Sequence, residues 1–184
     1  VVILGLGDIT KLSVYDLKDG VASATKFVRS LGASTVGVFI PDECTLAMRA
    51  VRHAVFAIAS GMALSQYEYV KHKKPDEKKK PLIKRLSFYL AKEHNAEASA
   101  AVAYTETIVR GIQCARDLVN EPPSDTTPEF LAETARSIAR QNSGIICRIA
   151  GPTEMQKEGM GAILGVSRGS TKEPRFIELV YKGT

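Results

Sequence analysis

The chain reads as an α/β protein: a mixed, mostly parallel sheet covered by helices, then a long connecting helix, then the beginning of a second α/β unit. Three observations predict this. Apolar runs of strand length alternate with helical stripes from Val1 to Met62, the order that places crossover helices on a sheet. A helical stripe from Ala96 to Val119 then runs into Pro122-Pro123, where proline disfavours helical geometry in the residue before it. Beyond the prolines a fresh helix start is followed by two further strand-like runs.

Taken in order, Val1 to Leu6 is a short continuous apolar run closed by Gly5 and Gly7, the pattern of a strand buried on both faces. Leu17, Val21, Ala24, Val28 and Leu31 recur at helical spacing, with Gly32 where a left-handed cap belongs. Thr35 to Ile40 is β-branched and apolar and predicts a strand ending at Pro41. Ala47, Ala50, Val51, Ala54, Ile58 and Met62 predict one longer helix, with Arg49, Arg52 and His53 on its other side. Lys71 to Pro81 combines a charge run with prolines and predicts an exposed loop, after which Leu82 to Leu90 returns as a strand. The stripe Ala98, Ala101, Ile108, Ile112, Ala115, Val119 predicts the longest helix. Thr127 as N-cap, Pro128 at the first helical position and Glu129 in the first turn predict another. Ile145 to Ile149 reads as a strand, Pro152 to Glu158 as a short helix closed by Gly159, and Phe176 to Tyr181 as a last strand. The domain boundaries expected from this are an N-terminal α/β domain over 1–95, a connecting helix over 96–119 and the first part of a second domain over 120–184.

Composition narrows the class. Apolar residues make up 45% and charged residues 24% of the 184, which excludes disorder as the main reading. No apolar run approaches the ~18 residues of a membrane span. The start lacks both the basic residues and the apolar length of a signal peptide. The expected compartment is the cytoplasm. Because residue 1 is a valine already inside a strand-like run, the sequence is expected to begin within a domain. Net charge is +5, but residues 70–85 hold eight bases and two acids, so that stretch carries +6 and the remainder −1. Basicity therefore belongs to one loop. Cys44, Cys114 and Cys147 stand far apart in no metal or redox spacing, as suits a reducing compartment.

Several constellations could carry chemistry. Gly5-Leu6-Gly7-Asp8-Ile9-Thr10 starts like a dinucleotide fingerprint, but Thr10 replaces the third glycine and no acid ends a strand ~20 residues on. The loop lysines, Lys71, Lys73, Lys74, Lys78, Lys79 and Lys80, make a dense positive field that could meet phosphates, yet no aromatic is interleaved and no recognition helix adjoins. A solvated insertion accounts for it. His53, His72 and His94 lie in no zinc-site spacing with Cys or carboxylates. Gly165-Val166-Ser167-Arg168-Gly169 spells a nucleophile elbow, but the polar run Ser170 to Pro174 that follows cannot open the helix an elbow feeds. Ser167 is therefore not expected to be a nucleophile.

Two stretches say more. Ala115-Arg116-Asp117-Leu118-Val119-Asn120-Glu121-Pro122-Pro123-Ser124-Asp125-Thr126-Thr127-Pro128-Glu129 resembles the segment that opens the catalytic domain of the leucyl aminopeptidases, the two-metal cytosol aminopeptidase family. Gly159-Met160-Gly161-Ala162-Ile163-Leu164-Gly165-Val166-Ser167-Arg168-Gly169-Ser170, with Pro174 to Gly183, resembles the next block of that domain in the same order. Gly5-Leu6-Gly7 and the helices after it are similar to the family's smaller N-terminal domain. The resemblance implies a homo-hexameric hydrolase that removes leucine-like N-terminal residues from peptides with two divalent metals: zinc, manganese or magnesium. It also implies that the metal-binding lysine, aspartates and glutamate, and the catalytic lysine and arginine, lie beyond the strand ending near Tyr181. No catalytic, cofactor or metal residue is therefore assigned within the chain. Asp117, Asp125 and Glu129 match scaffold positions of the family, and the chain alone is expected to be inactive, with a scaffold and assembly role. Neither nucleic acid nor membrane is expected as a partner. The competing reading is a nucleotide- or nucleic-acid-binding α/β module that uses the Gly5 to Gly7 turn or the Lys71–Lys80 loop.

Overall fold

Ser13 starts the first helix. In the computed structural model, which describes residues 1–74 and 80–183, the Ser13 hydroxyl accepts from the Asp16 N–H and the Asp16 carboxylate accepts from the Ser13 N–H, at 3.2 and 3.0 Å. This reciprocal cap satisfies two otherwise orphaned donors and opens α1, Val14–Ser30. Gly32, at φ +81°, turns the chain out of the helix where a Cβ would be strained. The strand β1 follows at Thr35–Phe39, as expected.

The next helix differs from expectation. Instead of one helix from Ala47 to Met62 there are two, α2 at Asp42–Ala47 and α3 at Val51–Ser65. Periodicity continues across the break because Ala47, Val51 and Ala54 all face one core, but Arg49 takes φ +61° and Ala50 is extended. Glu97 supports the new start: its carboxylate accepts from the Arg52 N–H at 3.1 Å, a negative charge at a helix N-terminus that Ala50 cannot cap itself.

Strand β2, Arg85–Tyr89, pairs parallel with β1, Val36 opposite Leu86 and Val38 opposite Phe88. These four side chains pack on the core formed by Leu17, Ile40, Val55, Ile58 and Met62. The alternate residues Thr35, Phe39, Arg85 and Tyr89 are exposed, the period-two signature of a one-sided sheet. Val1 to Leu6, expected as a strand, forms no ladder. Val1 to Leu4 are exposed and Leu6 is half-buried, with Leu4 and Leu6 reaching 3.6 and 3.4 Å from where a Gly20 Cβ would stand on α1. An apolar run is compatible with a strand, but pairing needs a partner edge as well.

A short 3-10 turn at Lys92–His94 leads into α4, Asn95–Asn120, whose 26 residues extend roughly 39 Å at the standard rise. The chain divides into two compact units, Val1–Asp117 and Leu118–Thr184, and α4 runs through that boundary. In the second unit, α5 (Pro128–Gln141) starts as expected, with Thr127 Oγ1 accepting from the Phe130 N–H at 3.3 Å. Strand β3 (Ile145–Ala150) pairs antiparallel with β4 (Phe176–Tyr181). Between them lie α6 (Pro152–Lys157) and α7 (Gly161–Ser167), the latter formed by a stretch that its glycines make look like turns. The architecture is thus mixed α/β, with a parallel pair in one unit and an antiparallel pair in the other. Among the described residues no helix is long and apolar enough to cross a membrane.

Candidate functional site

Each residue with possible chemistry has a local employment. Ser167 ends α7 and its hydroxyl donates to the Leu164 carbonyl at 2.8 Å, while the chain beyond it turns instead of entering a helix, so no elbow is formed. Asp8 accepts from the Thr10 N–H and hydroxyl at 3.0 and 2.8 Å, which holds its carboxyl below the usual range and closes the Gly5 to Thr10 turn on itself. No strand feeds that turn and no helix opens at its second glycine, so the phosphate-cradling geometry of a dinucleotide fold is not present there.

His53 Nδ1 donates to the Met48 carbonyl at 2.9 Å and braces the break between α2 and α3. His94 sits in the 3-10 turn and the His72 ring packs beside Tyr69, with centroids 6.0 Å apart. Cys44 is buried, and burial raises its thiol pKa, the opposite of what a nucleophile needs. Cys114 is exposed on α4 and Cys147 half-buried on β3. In the lysine-rich stretch, Lys78 and Lys79 lie outside the described residues. The bases that are described, Lys71, Lys73, Lys74 and Lys80, are exposed, and Arg29 of α1 reaches the Lys80 and Pro81 carbonyls at 3.4 and 3.3 Å and Glu68 at 3.1 Å.

The acids singled out in the sequence make local contacts. Asp117 accepts from the Tyr67 hydroxyl at 2.7 Å, and the neighbouring Arg116 donates to the Leu64 carbonyl at 2.9 Å with its guanidinium 5.3 Å from the Tyr67 ring centre. Together they close the end of α3 against α4. The hydroxyl of Ser124 donates to Asp125 at 3.3 Å in the turn before α5. Glu129 is the hub of the second unit. It accepts from Arg136 at 3.0 Å and from Arg175, ahead of β4, at 2.6 Å, and Glu133 accepts from Arg136 and Arg140 at 3.2 and 2.6 Å. Hydrogen bonds from Arg136 and Arg175 hold the Glu129 carboxyl below its usual range, and those from Arg140 and Arg136 do the same for Glu133. Only a three-dimensional contact pairs Arg175 with Glu129, 46 positions apart, so sequence spacing carried no sign of it.

Two divalent metals side by side would need several carboxylate, histidine or similar ligands converging on one point. Within neither unit by itself do three such side chains converge, among the described residues. Taken unit by unit, the described residues do not fit a two-metal centre.

Comparison with known proteins decides what these elements belong to. Residues 113–184 match the catalytic domain of the cytosol aminopeptidase family, and residues 1–76 match the N-terminal domain of the same family. The chain belongs to the cytosol aminopeptidase family. A probable cytosol aminopeptidase of Roseiflexus castenholzii is 32% identical over 98% of the chain, and one of Rhizobium etli (strain CIAT 652) is 36% identical over all of it. The chain spans about 36% of the length of each of these relatives. Among solved structures, a tomato leucine aminopeptidase superposes with TM-score 0.77 at 26% identity, over 91% of this chain and 33% of that one. The bottromycin maturation enzyme BotP in complex with Mn shares the fold, with TM-score 0.77 at 24% identity over 97% of this chain and 36% of that one. The block Ala115 to Glu129, recognised from its residues, falls inside the catalytic-domain match.

Proposed function

We propose that the protein to which this chain belongs is a metallo-aminopeptidase that removes leucine-like N-terminal residues from peptides in the cytoplasm, working as a homo-hexamer with two divalent metals, manganese, zinc or magnesium. The observation that carries this reading is the order of the two matches: the N-terminal domain over 1–76 and then the catalytic domain over 113–184. The metals would polarise the scissile carbonyl and activate a water when bound. Because no such ligand set converges within either unit among the described residues, no step of that chemistry is assigned to these residues.

What this chain does in the proposal is structural. Residues 1–95 form the N-terminal domain, 96–119 the connecting helix and 120–184 the first part of the catalytic domain. The Arg175–Glu129 pair and the β3–β4 ladder give that part a fixed shape on which later elements build. By itself the chain is inactive. The test is hydrolysis of leucyl p-nitroanilide with added manganese or zinc. The 184-residue chain is expected to give no turnover, and the protein extended to the length of its relatives is expected to give turnover that a chelator abolishes. Metal-dependent turnover by the chain alone would overturn its inactivity, and an inert extended protein would overturn the peptidase reading.

A further inference from the structure

In the first unit, a cleft of about 380 Å³ opens between α3, the start of β2 and α4. Its floor is apolar, with Met62, Phe88 and Val109 among its walls. The charged groups of its lining are Glu106 on α4 and Lys84 and Arg85 at the start of β2. Glu106 stands on α4 one turn from Val102 and Val109, and so on the packed edge of that helix. Lys84 precedes β2 by one residue and has the parity of Leu86 and Phe88, the side of the sheet that packs on the core. Both side chains are exposed, and among the described residues neither is in an ion pair, with each other or with any other group. At the end of α3, Gln66 uses its side-chain oxygen to accept from the Ile83 N–H at 2.6 Å. That bond fixes which way the amide faces and leaves its NH2 group without a partner among the described residues.

An apolar floor between an unpaired carboxylate and an unpaired ammonium, with a spare amide donor beside them, is complementary to one chemical class. A zwitterion with an aliphatic side chain offers an ammonium for the acid, a carboxylate for the base and the amide, and a hydrocarbon for the floor. We propose that this cleft binds a free aliphatic α-amino acid, its ammonium on Glu106, its carboxylate on Lys84 and Gln66, and its side chain over Met62 and Val109. A purely apolar ligand would leave these charges unused, and a simple anion would leave Glu106 without a partner. The inference rests on the first unit alone and does not depend on the peptidase reading.

The test is an NMR titration of the 184-residue chain with L-leucine. Saturable shifts are expected at the amides lining the cleft. Leucinamide, which lacks the carboxylate, and 4-methylpentanoate, which lacks the ammonium, should each bind about tenfold more weakly or worse, since each gives up a charge-assisted contact. E106Q and K84Q should weaken L-leucine by a similar factor while leaving the unligated spectrum and the unfolding midpoint in place, because both side chains are exposed and unpaired. E106Q should no longer discriminate against 4-methylpentanoate, an effect that a general loosening of the fold would not produce. Absence of saturation at millimolar L-leucine, shifts that lie away from the cleft, or binding indifferent to both substitutions would each overturn the proposal. Activity of the extended protein is read in a separate assay, so the two conclusions fail independently.

Discussion

Between Val1 and Asp117 most of the buried apolar side chains form one cluster that includes Leu17, Ile40, Val55, Ile58 and Met62. Between Leu118 and Gly183 the buried apolar residues are Ala132, Ala135, Ala150 and Met155, among those described. The second unit compensates with directional contacts: a six-residue antiparallel ladder and the chain of ion pairs from Arg175 through Glu129 and Arg136 to Glu133 and Arg140. The difference matters because the two kinds of force respond to different solution conditions. Burial of aliphatic area is indifferent to moderate salt and to pH, whereas exposed ion pairs are screened by one and titrated by the other. The first unit should therefore fail when its packing is altered, and the second when its charges are.

The largest effect is expected from Ile58→Ala. Ile58 is 3% exposed at the centre of the first unit's cluster, and truncating a buried isoleucine costs about 2–5 kcal/mol through lost transfer energy and the cavity left behind. Urea unfolding read by hydrogen exchange should show the loss in the amides of α1, α3 and β1. A cost under about 1 kcal/mol would show that this cluster is not what holds the unit.

A smaller cost, about 1–3 kcal/mol, is expected from Gly61→Ala, which tests close packing instead of area. A Cβ at Gly61 would stand 2.7 Å from the Lys18 backbone oxygen, where α1 crosses α3. Backbone cannot swing aside as a long side chain can, so the helices must separate. Because alanine is the better helix former, a neutral or stabilising result would mean that the crossing has slack. A thermal melt, followed at α1 and α3, decides it.

How much of this was legible in the sequence depends on whether the signal was local. Helix starts at Ser13 and Thr127 were readable because a cap is written within a few residues, and β1, β2, β3 and β4 were readable as β-branched or apolar runs. The break at Met48 to Ala50 was not, because Ala47, Val51 and Ala54 keep the same stripe on both sides of it and the supporting carboxylate, Glu97, arrives from 45 positions away. The Val1 to Leu6 run misled for a related reason: whether an apolar stretch finds a ladder is decided elsewhere in the chain, and here Val1 to Leu4 stay exposed. At the candidate site the family could be recognised from the residues on either side of Pro122 and Pro123, since a resemblance accumulates over a contiguous stretch. The Arg175 to Glu129 contact and the Lys84 to Glu106 cleft could not be foreseen, since each joins side chains that only the fold brings into one neighbourhood.

The smallest expected effect is also the one that separates the two units most directly. Glu129 and Glu133 have carboxyl groups held below their ordinary values by hydrogen bonds from arginines. A carboxyl depressed in the folded state binds fewer protons there than in the unfolded chain, so its contribution is fully present above the unfolded value. That contribution is lost as pH falls through the folded one. The second unit's unfolding midpoint should accordingly drop as pH is lowered from neutral through the carboxylate range, and added salt should lower it at neutral pH by screening the same pairs. Both side chains are well exposed, so the shift should be modest. Arg175→Gln removes the contact that joins the approach to β4 with α5, and with it part of the pH dependence, while the first unit's midpoint should not follow Arg175→Gln and keeps its own acid response from Asp8 and Asp16. Measuring hydrogen exchange at the β3 and α3 amides side by side across that pH range checks this. Equal acid sensitivity in both, or a second unit whose response is the same with and without Arg175, would show that the ladder and not the ion pairs sets its stability.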